Sequence, residues 1–358
     1  MSRLFSPLQL RSLTLPNRVF VSPMCQYSSE DGMPNDWHLV HLGSRAVGGA
    51  ALVCAEASGV TPEGRITPWD AGIWSPAHAR AWKRVTSFLR EQGAVPAMQI
   101  AHAGRKASTN KPWVGGKPLG EDEGAWTTLG PSAVAFGHYP APRAMSLEEI
   151  RQTVEDFRAG AQHALAAGFD VAEIHGAHGY LLHEFVSPLS NQRSDEFGGS
   201  FDNRVRLPLA VAKAVREAWP RELPVFYRLS ATDWTAGGWD LEQSIALCKQ
   251  LKALGIDLID VSSGGNVAHA PIVLGPGYQV PFAAAIRREA DMPVGAVGLI
   301  SDATQAEQIV SLGQADAVFL ARAELRDPYW PRHAAKVLGV QLPWPAQYGR
   351  ADVGPTGQ

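Results

Sequence analysis

The stretch Ile174-His175-Gly176-Ala177-His178-Gly179-Tyr180 places two imidazoles and a phenol close together, directly after the strand-like run Phe169-Asp170-Val171-Ala172-Glu173. A strand that ends here delivers all three side chains into the loop behind it. Two imidazole N–H groups can share one substrate oxygen, and a phenol beside them can donate a proton. Such a set suits a reaction on a polarised carbonyl, because the donors act most strongly as charge builds on the oxygen. The bland alternative is a pair of loop histidines bonded to backbone, with Tyr180 as a packing residue whose hydroxyl caps a backbone group. Polar residues at the other strand ends favour the chemical reading.

Those strand ends follow from the alternation of the chain. Near-continuous apolar runs at Arg18–Ser22, Ala51–Glu56, Pro96–Ile100, Asp170–Ile174, Pro224–Leu229, Leu258–Val261, Val294–Val297 and Ala317–Leu320 read as parallel strands covered on both faces. Amphipathic stretches lie between them, among them Leu147–Ala167, Arg204–Ala218, Leu241–Leu254, Ala283–Ala290 and Thr304–Leu312. Ser146-Leu147-Glu148-Glu149 reads as a capping box, and Gly168, Gly255 and Gly313 stand where helices should stop. Eight strands in βα alternation predict an α/β chain folded as a (β/α)8 TIM barrel. A doubly wound open sheet is the alternative, disfavoured because no G-x-G-x-x-G follows a strand. Arg105 to Ala144, rich in Gly, Pro and Trp, predicts a long excursion after the third strand, and the Pro-rich stretch after Gly339 predicts an outward tail.

Composition sets bounds. The chain has 358 residues, 45% hydrophobic and 19% charged, which suits one large barrel domain spanning 1–358. A net charge of -3 gives no reason to expect nucleic acid or an anionic membrane as partner. The first residues lack the apolar core of a signal peptide, and no apolar run is long enough to span a membrane. Three scattered cysteines, Cys25, Cys54 and Cys248, fit a reducing, cytoplasmic compartment and exclude a four-cysteine cluster. Cys54 and Cys248 read as core packing.

Active sites of this fold lie at the C-terminal ends of the strands. In order, those ends present Ser22-Pro23-Met24-Cys25-Gln26-Tyr27, Glu56-Ala57, Gln99 through His102 to Arg105-Lys106, then His175, His178 and Tyr180, Arg228, Ser262-Ser263-Gly264-Gly265, Gly298, and Ala321-Arg322. The last ends are small residues plus an arginine, the makings of a phosphate site after strands seven and eight. Arg228 and Gln99 would then face the other end of a phosphate-bearing cofactor. An arginine that merely caps the barrel as an ion pair is the competing explanation.

With these motifs in place the chain resembles the old yellow enzyme family of FMN-dependent ene-reductases, in its thermophilic-like or xenobiotic reductase subclass. The resemblance rests on Asn17-Arg18, Ser22 to Tyr27, Gln99 to Lys106, His175 to Tyr180, Gly198-Gly199-Ser200-Phe201-Asp202-Asn203-Arg204, Asp260 to Gly264 and Gln347-Tyr348-Gly349-Arg350, in family order. It implies non-covalent FMN, with NADPH or NADH as hydride donor. It implies that Ser22, Pro23, Met24 and Cys25 line the flavin, that Ala57 and Gln99 meet its pyrimidine edge, and that Arg228 lies near N1. Gly298, Ala321 and Arg322 would hold the phosphate. His175 and His178 would bind the activating oxygen of an enone, enal, maleimide or nitroalkene. Hydride would pass from nicotinamide to flavin N5 and then to Cβ, with Tyr180 supplying the proton at Cα. Tyr27 and Lys106 would line the substrate side. Arg350 is similar to a C-terminal arginine that enters the neighbouring subunit's site, so a homodimer or homotetramer is implied. One departure is Ala321, where the family usually has glycine; its methyl group would narrow the phosphate approach if that backbone required positive φ.

Rival functions remain at this stage. A metal-dependent hydrolase could use His175-x-x-His178, although no H-E-x-x-H and no H-x-H on the first strand is present. His38 and His41, at i and i+3 in the helical pattern Trp37 to Val47, read as helix-surface or interface residues. A sugar-phosphate isomerase or aldolase could use Glu56 or Lys106, but would leave the His-His-Tyr set unexplained. A non-catalytic flavin-binding protein is the third rival. Loop tryptophans such as Trp69, Trp74, Trp113, Trp126 and Trp234 are expected to anchor loops by burial.

Overall fold

The computed structural model describes residues 2–351, so both ends of the expected 1–358 domain lie outside the described residues. Its centre is a closed barrel of eight parallel strands: Val19–Val21, Leu52–Gly59, Val95–Ala101, Val171–Gly176, Val225–Ser230, Leu258–Ser262, Val294–Ala296 and Ala317–Leu320. The eighth strand closes on the first through Val318↔Val19, Phe319↔Phe20 and Leu320↔Val21. Closure removes every sheet edge and rules out the open-sheet alternative.

Alternation along the strands separates two cores. Phe20, Leu52, Cys54, Ala97, Phe226, Leu258 and Phe319 fill the barrel interior. Neighbours such as Val19, Val53, Met98, Ile174 and Val261 face the helices. The interior is plugged from below by an N-terminal hairpin, Leu8–Leu10 paired with Leu13–Leu15, which contributes Leu10 and Leu15 to the inner core. This hairpin was not expected, because two three-residue strands carry little periodic signal and the turn depends on Arg11 at φ 52.

The surrounding helices include Asp36–Val47, Pro76–Glu91, Leu147–Ala166, Arg206–Ala218, Leu241–Ala253, Val280–Ala290, Ala303–Ser311 and Trp330–Val337. Ser146 and Glu149 form the expected reciprocal cap, with Glu149 N donating to Ser146 Oγ and Ser146 N to Glu149 Oε2. Gly168, Gly255 and Gly313 all take positive φ just past helix ends. Two helix starts differ from expectation. Phe201–Arg204 is a separate short helix before Arg206–Ala218. The helix expected from Ala283 begins at Val280, because Pro281 lies in a first turn, where no amide donor is needed. Arg105 to Ala144 forms the expected excursion, built from three 3-10 turns and the paired segments Leu129–Gly130 and Arg143–Ala144. Among the described residues no helix is long and apolar enough to cross a membrane.

One packing detail bears on the site. Gly176 ends the fourth strand beside His175, and a Cβ there would run into the hydroxyl and ring of the fully buried Tyr227. Gly176→Ala should therefore destabilise the protein by about 1–3 kcal/mol through overpacking. A lowered urea midpoint checks this; an unchanged one would mean the ring can move aside.

Candidate active site

Barrel closure gathers the strand ends into a ring. The fourth strand ends at Gly176, after which His178 sits at φ 60, a region few side chains adopt. The strain is held at both peptide groups. His178 N donates to Ser230 Oγ at 3.0 Å, and Lys106 Nζ donates to His178 O at 2.8 Å and to Gly265 O at 3.0 Å. Gly179, at φ 72, donates its N–H to His183 Nδ1 at 2.9 Å. His183 Nε2 stands 3.0 Å from Asp233 Oδ1, both side chains fully buried. The loop carrying His178 and Tyr180 is thus tied to the loops after the third, fifth and sixth strands.

The imidazoles of His175 and His178 meet edge to face with centroids 5.2 Å apart, and the Tyr180 ring lies 5.0 Å from His175. Burial, and then the Arg228 charge, hold both histidines well below their ordinary pKa. They are therefore neutral near pH 7, each with one N–H to donate. Burial raises the Tyr180 phenol well above its usual value, so it keeps its proton. Lys106 is pushed down to about 8 by burial, and its ammonium lies 5.1 Å from the Tyr180 ring centroid.

Beneath this set lies a buried charge network. Arg228 Nε is 3.1 Å from Asp260 Oδ2, and Arg228 Nη1 donates to Ser22 Oγ at 3.1 Å. Gln99 Nε2 donates to Glu173 Oε1 at 2.8 Å, which leaves the amide oxygen of Gln99 as an acceptor. Burial raises the pKa of both Glu173 and Asp260. On the opposite wall Cys25 is half-buried and its thiol bonds to Tyr27, itself at φ 50. Ala57 lies within a shift of register in the second strand, between Ala55 and Ser58, which re-aims the chain at the barrel mouth.

A cavity of about 210 Å³ opens between the seventh and eighth strand ends, lined by Gly298, Ala321 and Arg322 as expected, and also by Tyr278, Gln279 and Arg326. Gly298 has φ 120, and a Cβ there would lie 2.7 Å from Gln279 Nε2 and 3.0 Å from Tyr278 Cε1. Only glycine keeps this cradle open. Ala321 has φ -108, so the positive φ at which its methyl group would be a problem is not adopted. Two arginines and a glycine cradle fit a phosphate, while Gln99 and Arg228 offer an acceptor and a cation to the polar edge of a flavin ring. The residues present therefore fit FMN.

A second cavity of about 150 Å³ is lined by Tyr27, Lys106 and Tyr180 together with Ile66, Asn110 and Tyr139. Lys106 does face it, but its ammonium is committed to two backbone carbonyls. One expectation needs correction. His38 and His41 are not surface residues but buried: His38 Nε2 lies 3.3 Å from Ser29 Oγ and 3.7 Å from Glu56 Oε2, because the helix lays this face on the barrel. Arg350, expected to act in a neighbouring subunit, is exposed on the 3-10 segment Ala346–Ala351. Ser230, Ser262, Gln279, Tyr278 and the His183–Asp233 pair were missed. Ser and Gln at strand ends carry no distinctive pattern, though Ser262-Ser263 stood in a motif already noted. Among the described residues no group of three His, Cys, Asp or Glu side chains is arranged to hold a metal ion.

Comparison with known proteins agrees with this geometry. The model of the NADH:flavin oxidoreductase / NADH oxidase family matches residues 3–341. An NADPH dehydrogenase of Bacillus licheniformis is 48% identical over 352 residues, covering 98% of each chain. Among solved structures, morphinone reductase superposes with a TM-score of 0.79 at 29% identity, covering 95% of this chain and 91% of its own. The old yellow enzyme homologue from Zymomonas mobilis superposes at 0.78 with 26% identity, over 99% and 98%.

Loss of the phosphate contacts should release the cofactor. Arg322→Ala should weaken FMN binding about 10- to 100-fold, the worth of a charge-assisted contact, and Gly298→Ala should weaken it too. The flavin-to-protein ratio after dialysis checks both; full retention would place the phosphate elsewhere. The family match over residues 3–341 and the full-length relative show that the chain belongs to the NADH:flavin oxidoreductase / NADH oxidase family, on the barrel of the old yellow enzymes.

Proposed function

We propose that this protein, an FMN-dependent NADPH oxidoreductase, reduces activated C=C bonds in small electrophilic alkenes: enones, enals, maleimides and nitroalkenes. The observation that carries the reading is the cluster at one strand end of buried His175, half-buried His178 with ring centroids 5.2 Å apart, and the Tyr180 ring 5.0 Å from His175, where desolvation favours neutral imidazoles and a protonated phenol. FMN, when bound, supplies the two-electron redox chemistry between nicotinamide and alkene. Gly298, Ala321, Arg322, Gln99, Arg228, Ala57 and the segment Ser22, Pro23, Met24, Cys25 would hold it. His175 and His178 donate hydrogen bonds to the carbonyl or nitro oxygen and stabilise the charge that gathers there as Cβ accepts hydride. Tyr180 gives its proton to Cα and is restored from solvent. Tyr27 and the Lys106 stem wall the alkene side.

Arg350 would complete the neighbouring subunit's site in a homodimer or homotetramer. Support comes from its exposure and from the anchoring of the tail before it, where the Arg332 guanidinium stacks 4.5 Å from the Trp344 ring and bonds to Pro343 O at 3.0 Å. The three free thiols suit a cytoplasmic location, and the run of barrel strands from Val19 to Leu320 supports one FMN-binding domain over 1–358.

Anaerobic NADPH should bleach the flavin bands, and 2-cyclohexenone should restore them. In Tyr180→Phe the bleaching should persist while reoxidation by the enone slows about 100-fold or more; an unchanged rate would remove Tyr180 from the proton step. Arg350→Ala should raise KM for enone or nicotinamide about 10-fold with FMN retained, whereas loss of FMN would contradict its placement. The pH profile follows from the histidines. An ordinary imidazole would gain charge as pH falls through 6.5, but these two are held well below that value. The ring nitrogens of His175 and His178, followed by NMR, should therefore not titrate between about pH 5.5 and 7.5, a window in which Asp260, raised by burial to about 6, does gain its proton; a histidine titration near 6.5 would count against their neutrality.

A further inference from the structure

Each histidine of the pair has one ring nitrogen already engaged by the protein, and the engaged nitrogen differs. His175 Nδ1 accepts from the backbone N–H of Ala177 at 3.3 Å. A backbone N–H can only donate, so Nδ1 carries no proton and the neutral ring has its hydrogen on Nε2. In His178 the engaged nitrogen is Nε2, 2.7 Å from Ser262 Oγ. That contact alone allows either direction, because a hydroxyl both donates and accepts.

The surroundings of Ser262 decide the direction. Its other acceptor is Gln279 Oε1, at a long 3.4 Å. That oxygen already accepts from Ser263 Oγ at 2.6 Å. The amide cannot be turned around, because Gln279 Nε2 donates to Val297 O at 3.0 Å and a carbonyl only accepts. Gln279 is 2% exposed and Ser262 5%, so bulk water does not compete freely for these groups. Ser262 also borders the cavity assigned to the cofactor, but among protein groups the strong free acceptor left to its hydroxyl is His178 Nε2.

We propose that Ser262, held by the Ser263–Gln279 relay, donates its hydroxyl proton to His178 Nε2 and so fixes His178 as the Nδ1–H tautomer, opposite to the Nε2–H tautomer of His175. The two free ring edges are then both donors. In the other tautomer His178 would turn a lone pair toward the substrate oxygen and oppose the charge that builds there. Ser262 is thus a positioning residue that acts through His178. Its catalytic consequence rests on the reading of both histidines as donors to the activating oxygen; the tautomer itself does not.

The test is long-range proton–nitrogen NMR of the FMN-loaded protein with nitrogen-15 histidine, assigned through His175→Asn and His178→Asn. The wild type should show His175 as Nε2–H and His178 as Nδ1–H. Ser262→Ala should move His178 toward Nε2–H and lower kcat/KM for 2-cyclohexenone about 10-fold, the worth of one hydrogen bond to a charged group, with FMN still bound. Ser262→Thr, which keeps the hydroxyl, should keep the wild-type tautomer and rate. Should the alanine variant lose flavin or fail to fold, the wild-type spectrum alone decides. His178 found as Nε2–H in the wild type overturns the proposal, and so does a Ser262→Ala spectrum unchanged from wild type. Opposite tautomers in a protein that does not reduce the enone would instead leave this assignment standing and remove the ene-reductase reading.

Discussion

Everything at the mouth of the barrel depends on closing an eight-stranded parallel sheet. Pairing of Val318, Phe319 and Leu320 with Val19, Phe20 and Val21 turns a row of strand ends into a ring. Without that pairing, Ser22 to Tyr27 and Gly298 to Arg322 would lie on opposite edges of an open sheet. With it, the first strand end faces the fourth and fifth, and Ser22 Oγ reaches Arg228. Closure in turn rests on the inner core, where Phe20 and Phe319 meet edge to face at 5.3 Å and Leu10 and Leu15 seal the bottom. The apolar half of the barrel is rigid, and the polar half above it is therefore placed.

That polar half is organised by side chains that bind backbone. Lys106 and Ser230 hold the strained peptide groups of His178, His183 holds Gly179, and Arg105 donates to Asn266 at 2.7 and 2.8 Å. All but the local His183–Gly179 bond join segments from different strands, so donor positions are set before substrate arrives, which is what electrostatic preorganisation requires. Burial also sets the charge states. Desolvation keeps the two imidazoles neutral donors and the phenol protonated, and the Arg228 guanidinium below them is paired with Asp260. A charged imidazole in the same place would repel Arg228 and leave no proton choice for the protein to control.

Much of this was written in local sequence. Eight apolar runs marked the barrel strands to within a few residues, since strands covered on both faces have no polar alternation to blur them. Ser146 with Glu149, and the glycines at 168, 255 and 313, marked helix ends because cap chemistry is local. His175, His178, Tyr180, Gln99, Arg228 and Arg322 could be singled out because each lies in the C-terminal half of a strand or just past its end. What escaped was set by tertiary contacts. The burial of His38 and His41 depends on which face of their helix meets the barrel, and a spacing of three cannot tell that. The task of Lys106 depends on carbonyls more than seventy positions away in the chain. Ser262 and Gln279 matter only through partners on other strands, and the hairpin at Leu8–Leu15 is recognisable only as a plug. That Ala321 does not take positive φ is a backbone fact that no sequence pattern reports.

The most direct test of the central claim is a crystal structure of the FMN-loaded protein with a substrate-like enone or phenol bound over the flavin. The account predicts one ligand oxygen within hydrogen-bond distance of both His175 Nε2 and His178 Nδ1, with the Tyr180 hydroxyl on the side of the alkene carbon that receives the proton. An oxygen bound instead by Lys106 or by solvent, with the two imidazoles turned away, would contradict it.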